Sequence, residues 1–561
     1  MGAGGSTANI PQVRVPSPIG PSRIEICLDQ IERNIRILSD DEKLKINCIY
    51  QSFLYAIPKD GFIQTLTALQ TEEDISLFCF YAQVLYESGW DSLTNHDFGT
   101  LTFFHFAAMF SDPAQLLELF QATCACLSIL KPDPDAVNKF FQRLFAYGGS
   151  DRTFFSPPGV FSLANPSQAK VCKTLTKRVK KYATYLRDIK SKLTFAFPAA
   201  TFSIEASNGD LHQNFVAPLR IEGDLGKTTK VWFYKPRSSL PEEFMNEAID
   251  LLNKDSHHTF PILPLIELHS DDGKMLDDTK LMGEVKRTKK LSNIVQGLGF
   301  ARALGALQCL AKVMGMTDLH YENVIATDLG PVIIDAECIF LRSVLRSSDL
   351  DATQLIEAFY KFPPDSAGAF TVGDGLFFEH LAKSPEFSDA LRVGYQEAAA
   401  ICMRQKSSFT TIYTKALKDP HFRPRFVPLE TSMLTQSCDS FLMENPVYWI
   451  IPSVTKGIIR ALNDCGYPCP PYVSFFHQEN GQTFITVLTQ DLSMTAIPMF
   501  TMTYDFVRQS TSVFIDDFLL CNFSSVTINE LESEFESNID NLLCYHSRYF
   551  TLPDPKEGAP K

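Results

Sequence analysis

An α+β fold in two lobes is what this sequence predicts, and three observations carry the prediction. From Ala199 to Val285 strand-forming residues dominate, and within them lies Lys230-Val231-Trp232-Phe233-Tyr234-Lys235-Pro236-Arg237. Its apolar and aromatic residues favour a strand, and Pro236 ends that strand or places it at an edge. Next comes a segment of helical periodicity, Asn293 to Gly315, closing on a glycine. Immediately after it stand Thr317-Asp318-Leu319-His320-Tyr321-Glu322-Asn323 and then Val332-Ile333-Ile334-Asp335-Ala336-Glu337, an apolar run that delivers a carboxylate at its end. A strand Lys followed by helix, loop, strand and Asp is the order of a kinase core. No GxGxxG loop precedes Lys235, so ordinary protein kinases match poorly. The expectation is an atypical, lipid-kinase-like two-lobed kinase fold with large helical N- and C-terminal additions.

The spacing has a chemical meaning. Asn323 lies five residues after Asp318, and Asp335 twelve after Asn323. In phosphoryl transfer one carboxylate orients the attacking hydroxyl, an Asn and a second Asp hold Mg²⁺, and a Lys holds the nucleotide phosphates. Asp318, Asn323, Asp335 and Lys235 fill those places, with ATP/ADP and Mg²⁺ as the implied cofactors. The helix expected over Glu242 to Lys254 is where an acidic partner orients the Lys in a kinase, and Glu243 and Glu247 are its candidates.

Around this core the chain divides into five stretches. Residues 1–22 are rich in Gly, Pro and Ser and read as a disordered tail; Met1-Gly2 with Ser6 also fits a myristoylation pattern that short Gly-rich starts reproduce by chance. Residues 23–195 form a helical region, a candidate for substrate recognition, with helices expected over Ile24 to Leu38, Leu44 to Ala56, Glu73 to Ser88 and Pro113 to Leu130. Its last helix, about Gln168 to Leu193, carries nine Lys and Arg residues and is a candidate site for an acidic partner, although a solvated face is the commoner explanation of such a run. Residues 196–290 are the expected N-lobe and 291–550 the C-lobe, largely helical after Asp349; residues 551–561 are a loose tail.

Composition narrows the classes. At 45% hydrophobic and 21% charged residues the chain is of globular type. A net charge of −14 argues against general nucleic-acid binding. No apolar stretch long enough to span a membrane lacks charges, since the best, around Gly297 to Gly315, contains Arg302 and Lys312. Fourteen scattered Cys suit small buried thiols in a reducing compartment. Cytoplasm is the expected location, a host cytosol included if the chain is a secreted bacterial effector. Cys465, Cys469, Cys544 and His546 do not have the recurring spacings of zinc sites.

Taken in order, Gly209-Asp210-Leu211-His212, Lys235-Pro236-Arg237, Thr317-Asp318-Leu319-His320 with Glu322-Asn323, and Ile334-Asp335-Ala336-Glu337 resemble the dehydratase domain of LanM-type (class II) lanthipeptide synthetases. That family also has an Arg and a Thr six residues apart with a Tyr three further on, a spacing that Arg404, Thr410 and Tyr413 reproduce. About 150 residues follow Tyr413, fewer than the family's C-terminal cyclase domain needs. The resemblance implies a Ser/Thr-containing peptide or protein substrate, phosphorylated by Mg-ATP and then stripped of phosphate to give dehydroalanine or dehydrobutyrine. It implies Asp318 as the phosphorylation base, Asn323 and Asp335 on the metal, and Lys235 on the phosphates. Asp210, His212, His320 and Glu337 would shape the site, and Arg404 and Thr410 would serve elimination. A kinase without lyase activity and a non-catalytic binding module on the same fold remain alternatives.

Overall fold

The computed structural model describes residues 113–131, 166–207, 217–226, 228–256, 259–269, 279–288, 290–291, 293–320, 322–356, 371–372, 376–377, 384–427, 450–464, 499–515, 518–524 and 526–545. The three helices expected before Pro113, the terminal tails, and the zinc candidates Cys465, Cys469 and His546 lie outside these residues.

Two helices open the described chain, α1 (Pro113–Leu127) and α2 (Pro166–Ala196). On α2 the buried positions Val179, Tyr182, Ala183, Leu186, Ile189 and Leu193 recur at three- and four-residue steps and pack on α1 through Leu119, Ala122 and Cys126. Lys173, Lys177, Lys180, Arg187 and Lys190 point outward from that stripe. The basic helix is found where it is expected, but Arg178, one of its nine cations, is buried.

Beyond α2 the chain makes an antiparallel meander of β1 (Thr201–Ala206), β2 (Leu219–Asp224) and β3 (Thr229–Tyr234). With β4 (Leu265–Ile266) and β5 (Leu281–Gly283) it forms a five-stranded sheet, order β1-β2-β3-β5-β4. Burial alternates along β2, as a sheet with one face covered requires. Gly223 cannot be enlarged, because a Cβ there would sit 2.3 Å from the Trp232 ring on β3. On Trp232 stacks Phe197, which leaves the end of α2, with ring centroids 5.6 Å apart. Leu130 past α1 bridges Ile204 on β1, so the helical pair is joined to the sheet. Helix α3 (Leu240–Asp255) follows β3 and starts with Pro241 at a position where the missing N–H costs nothing. Glu242 and Glu243 in its first turn complement the helix dipole.

A helical body carries the rest. After the short β6 (Lys290–Leu291), α4 (Ile294–Val313) begins under the Asn293 side chain, which accepts from the Gln296 amide at 3.0 Å. By length and composition α4 could cross a membrane, yet 67% of its apolar window is buried inside the protein. The hairpin β7 (Val324–Thr327) and β8 (Gly330–Ile333), the short α5 (Arg342–Arg346), β9 (Thr371–Val372), β10 (Leu376–Phe377), α6 (Pro385–Arg404) and α7 (Lys406–Lys418) come next. Helices α4 and α6 meet backbone to backbone. A Cβ on Gly305 would lie 1.9 Å from the Leu391 carbonyl oxygen, and one on Gly394 would lie 1.9 Å from that of Arg302.

The C-terminal part is largely helical among the described residues, as expected, but it contains a sheet that was not expected. Helix α8 (Ile450–Asp464) is followed by an antiparallel sheet of β11 (Phe500–Asp505), β12 (Ser510–Ile515) and β13 (Phe518–Ser524), before α9 (Ile528–Asp540) returns to helix. β-Branched and aromatic residues crowd these strands, and Phe500, Met502, Val513, Ile515 and Leu520 bury one face with Ile458 and Leu462 of α8.

Candidate active site

The loop after α4 is shaped by its own backbone bonds. Gly315 takes a φ of +59° and turns the chain out of the helix. Asp318 also adopts a left-handed conformation, φ 62°, which is uncommon for a residue with a side chain. On either side the loop is pinned, with Thr317 N donating to Cys338 O at 3.1 Å and Thr317 Oγ1 to Ala352 O at 2.9 Å. Asn323 Nδ2 reaches back to Asp318 O at 2.8 Å and lies 3.3 Å from His320 Nε2. Residues 318, 320 and 323 thus form one rigid turn. Its register against the next strand is set by Ile334 N, which donates to Asn323 O at 2.9 Å and places Asp335 beside the turn.

Opposite the turn stands the end of β3. Lys235 Nζ pairs with Asp335 Oδ2 at 2.5 Å and donates to Ile334 O at 2.9 Å. Arg237 makes a bidentate pair with Glu242, 2.9 Å and 2.5 Å, contacts Asp335 through the same Nη2, and reaches Glu337 with Nε at 3.2 Å. Glu337 is held on its other side by Arg425. Three carboxylates and three cations interlock here, and each cation lies within reach of at least one carboxylate. Burial alone would raise the Asp335 carboxyl, but the charges of Lys235 and Arg237 outweigh it and hold the group well below the usual carboxylate range. For Arg425 burial favours the neutral form and Glu337 more than reverses it.

Asp318 has the opposite environment. Its side chain is 29% exposed, 4.0 Å from His320 Nε2. Burial pushes its carboxyl up, with Glu337 and Asp335 acting in the same sense and His320 and Arg425 opposing. A carboxyl raised above its ordinary value is a better proton acceptor than its neighbour Asp335. Two carboxylates with pKa values pushed apart, in one site, are the arrangement acid–base work uses.

The donors suit a hard divalent cation. Asp335 offers carboxylate oxygens, and Asn323 Oδ1 has no hydrogen bond among the described residues, its amide nitrogen being the one engaged. Oxygen ligands of this kind, completed by water and phosphate, are what Mg²⁺ takes. No cluster of three or more His, Cys, Asp or Glu suitable for a metal occurs among the described residues.

Of the residues selected from sequence, Lys235, Asp318, His320, Asn323, Asp335 and Glu337 are brought together. Asp210 and His212 lie outside the described residues. Arg404 and Thr410 stand elsewhere. Arg404 is 59% exposed at the end of α6 and faces Asp255 at 3.8 Å. Asp255 closes α3, thirteen residues or roughly 20 Å along the helix from Glu242. Thr410 donates to Lys406 O within α7 and to Glu536 of α9. The acidic partner on α3 also needs correction: Glu243 pairs with Lys280 and Glu247 with Lys415, and Glu242 is the residue that faces the site, bound to Arg237 and not to Lys235. Arg425 was missed, yet a signal existed. Arg425 and Thr431 are also six residues apart, without the following Tyr, and Thr431 lies outside the described residues.

Residues 166–361 match a family model described as a domain of unknown function (DUF4135). The match takes in Lys235, Arg237, Glu242, Asp318, Asn323, Asp335 and Glu337, and ends before Arg404 and Arg425. The chain is also 28% identical over 149 residues to the lacticin 481/lactococcin biosynthesis protein LcnDR2 of Lactococcus lactis subsp. lactis. The similar stretch is 25% of this chain and 15% of that relative.

Proposed function

We propose that the chain is a LanM-like dehydratase that phosphorylates Ser or Thr of a peptide or protein with Mg-ATP and then eliminates the phosphate. The observation that supports it best is the pairing of Lys235 with Asp335 at 2.5 Å, just past the ends of β3 and β8 and beside the Asp318–Asn323 turn. Residues 196–290 would be the N-lobe and 291–550 the C-lobe, with the nucleotide between the five-stranded sheet and the turn. Mg²⁺, held by Asn323 and Asp335, would neutralise charge on the transferred phosphoryl group.

In the first step Asp318 takes the hydroxyl proton as the substrate oxygen bonds to the γ-phosphorus and the bond to ADP breaks. Lys235 steadies the phosphates. In the second step a base removes the Cα proton, the Cβ–O bond breaks and phosphate leaves with the electron pair, which leaves a Cα=Cβ bond. A leaving phosphate needs positive charge beside it. Arg425 supplies that charge within the cluster, and Arg404 stands apart from it. The exposed placement of Arg404 also favours a second reading, a kinase that phosphorylates and stops.

The peptide would enter past the helical pair. A groove of about 580 Å³ between α1 and α2 is lined by Ile129, Arg187, Lys190, Ser191, Phe195 and Pro198, among others. Neither Arg187 nor Lys190 has an acidic partner among the described residues, so an acidic segment of the substrate is the complementary occupant. Cytoplasm, where ATP is available, would be the site of action.

Intact-mass spectrometry of a Ser/Thr-rich peptide library, incubated with the protein and Mg-ATP, tests the proposal. A loss of about 18 Da per site, one water, supports the dehydratase. A stable gain of about 80 Da, one phosphoryl group, makes the protein a kinase. Unchanged mass together with no binding of Mg-ATP rules out both.

A further inference from the structure

Arg237 is the hinge of the charge cluster, and its donors are divided unequally. Glu242 receives the two terminal nitrogens in a fork-to-fork pair at 2.9 Å and 2.5 Å, whereas Asp335 receives one N–H from the nitrogen already shared with Glu242. Planar, bidentate pairing fixes the orientation of a guanidinium far better than a single contact. Glu242 is 1% exposed, and Arg237 is the cation bonded to it. A carboxylate so buried is tolerated only when paired. Its Oε1 also accepts from the Ala336 amide at 3.3 Å, the peptide next to Asp335. One side chain from the first turn of α3 therefore touches both the cation and the turn that presents Asp335.

We propose that Glu242 is a positioning residue that shares Arg237 with Asp335 and so keeps Asp335 able to accept a divalent cation. The inference rests on the reading of Asp335 as a metal ligand. A metal ion and a guanidinium compete for the same carboxylate oxygens. With Glu242 ionised, Arg237 has a better partner than Asp335. Without that charge, Arg237 has only Asp335 and Glu337 to neutralise it, and Glu337 is already committed to Arg425. The guanidinium, already bonded to Asp335 Oδ1 through Nη2, is then held there without Glu242 competing for it, and the metal must displace it.

The test measures Mn²⁺ binding to the full chain in the presence of ADP, by electron paramagnetic resonance, which needs no turnover. Glu242→Gln keeps the shape and an acceptor for Ala336 N, and it should weaken Mn²⁺ binding about tenfold. Adding Arg237→Gln to the same chain should restore the affinity to within about twofold of wild type, because the competitor is gone. Glu243→Gln removes a charge one residue away from a side chain that pairs with Lys280 and should change little. Unaltered binding in Glu242→Gln overturns the proposal, as does a double variant that stays weak, or an equal loss in Glu243→Gln, which would indicate bulk charge. If Glu242→Gln does not fold, the double variant decides alone: wild-type affinity supports the proposal and weakened affinity overturns it. Asp335→Asn separates this outcome from failure of the underlying reading, since undiminished Mn²⁺ binding there removes Asp335 from the metal site altogether.

Discussion

Arg404 and Arg425 show how little residue spacing determines by itself. Both precede a Thr by six positions, but one lies in water beside Asp255 and the other is buried against Glu337. An exposed pair such as Arg404–Asp255 contributes at most about 1 kcal/mol. Arg404→Ala should therefore leave the ratio of dehydrated to phosphorylated product unchanged. Arg425→Gln should slow elimination on the order of 100-fold, the usual effect of losing one donor to a developing anion, and phosphorylated peptide should accumulate in the mass spectrum. Unmodified peptide from Arg425→Gln would instead assign Arg425 to the phosphorylation step. Lys235, Asp318, Asn323 and Asp335 were legible because one mechanism requires all four types in a fixed order. Glu242 was not, because choosing among the three glutamates of α3 requires knowing which face of the helix meets the site.

At the scale of elements, the α4–α6 contact is a backbone-to-backbone one. Gly305 and Gly394 each face a carbonyl oxygen of the other helix, so the axes approach as closely as two backbones allow. Gly394→Ala would force them apart and should cost about 1–3 kcal/mol, read as a lower midpoint of urea unfolding. An unchanged midpoint would mean that the helices slide without loss. Lys312, buried on α4, shows the opposite economy: it donates to Ser347 O at 2.7 Å and to Val344 O, capping α5, though burial pushes its pKa down to about 7. Helices α2 and α3 could be read in advance because their apolar positions recur every three or four residues, whereas α4, buried on every side from Ala303 to Val313, was marked by its length and the Gly315 stop. Strands β11 to β13 could have been: Ser510-Thr511-Ser512-Val513-Phe514-Ile515 is rich in strand formers, and the turn at Gln509 (φ 48°) lacks the Asn-Gly pair that announces a hairpin. Short strands joined by irregular turns leave weak local signals.

For the whole molecule, the charge distribution separates two surfaces. A chain of net charge −14 repels acidic partners at long range, yet α2 turns a row of Lys and Arg outward next to the groove that holds Phe195, 47% exposed. Arg187→Glu with Lys190→Glu should weaken binding of an acidic Ser/Thr peptide about tenfold at low salt and leave ADP affinity intact, as fluorescence anisotropy would report. Equal weakening for a neutral peptide would assign the groove to apolar contacts. Phe197 connects this region to β3 through its stack on Trp232, so a peptide held there is held on the element that carries Lys235. The site also draws on chain made much later. Arg425 bridges Thr501 on β11, Phe426 N donates to Phe500 O at 3.0 Å, and Met502 N to Pro424 O at 3.0 Å. During synthesis on the ribosome, Lys235, Asp318 and Asp335 emerge long before the strand that steadies Arg425. A nascent chain can fold the proposed nucleotide cleft while the guanidinium at Glu337 still lacks support, so the two halves of the proposed chemistry would mature at different times.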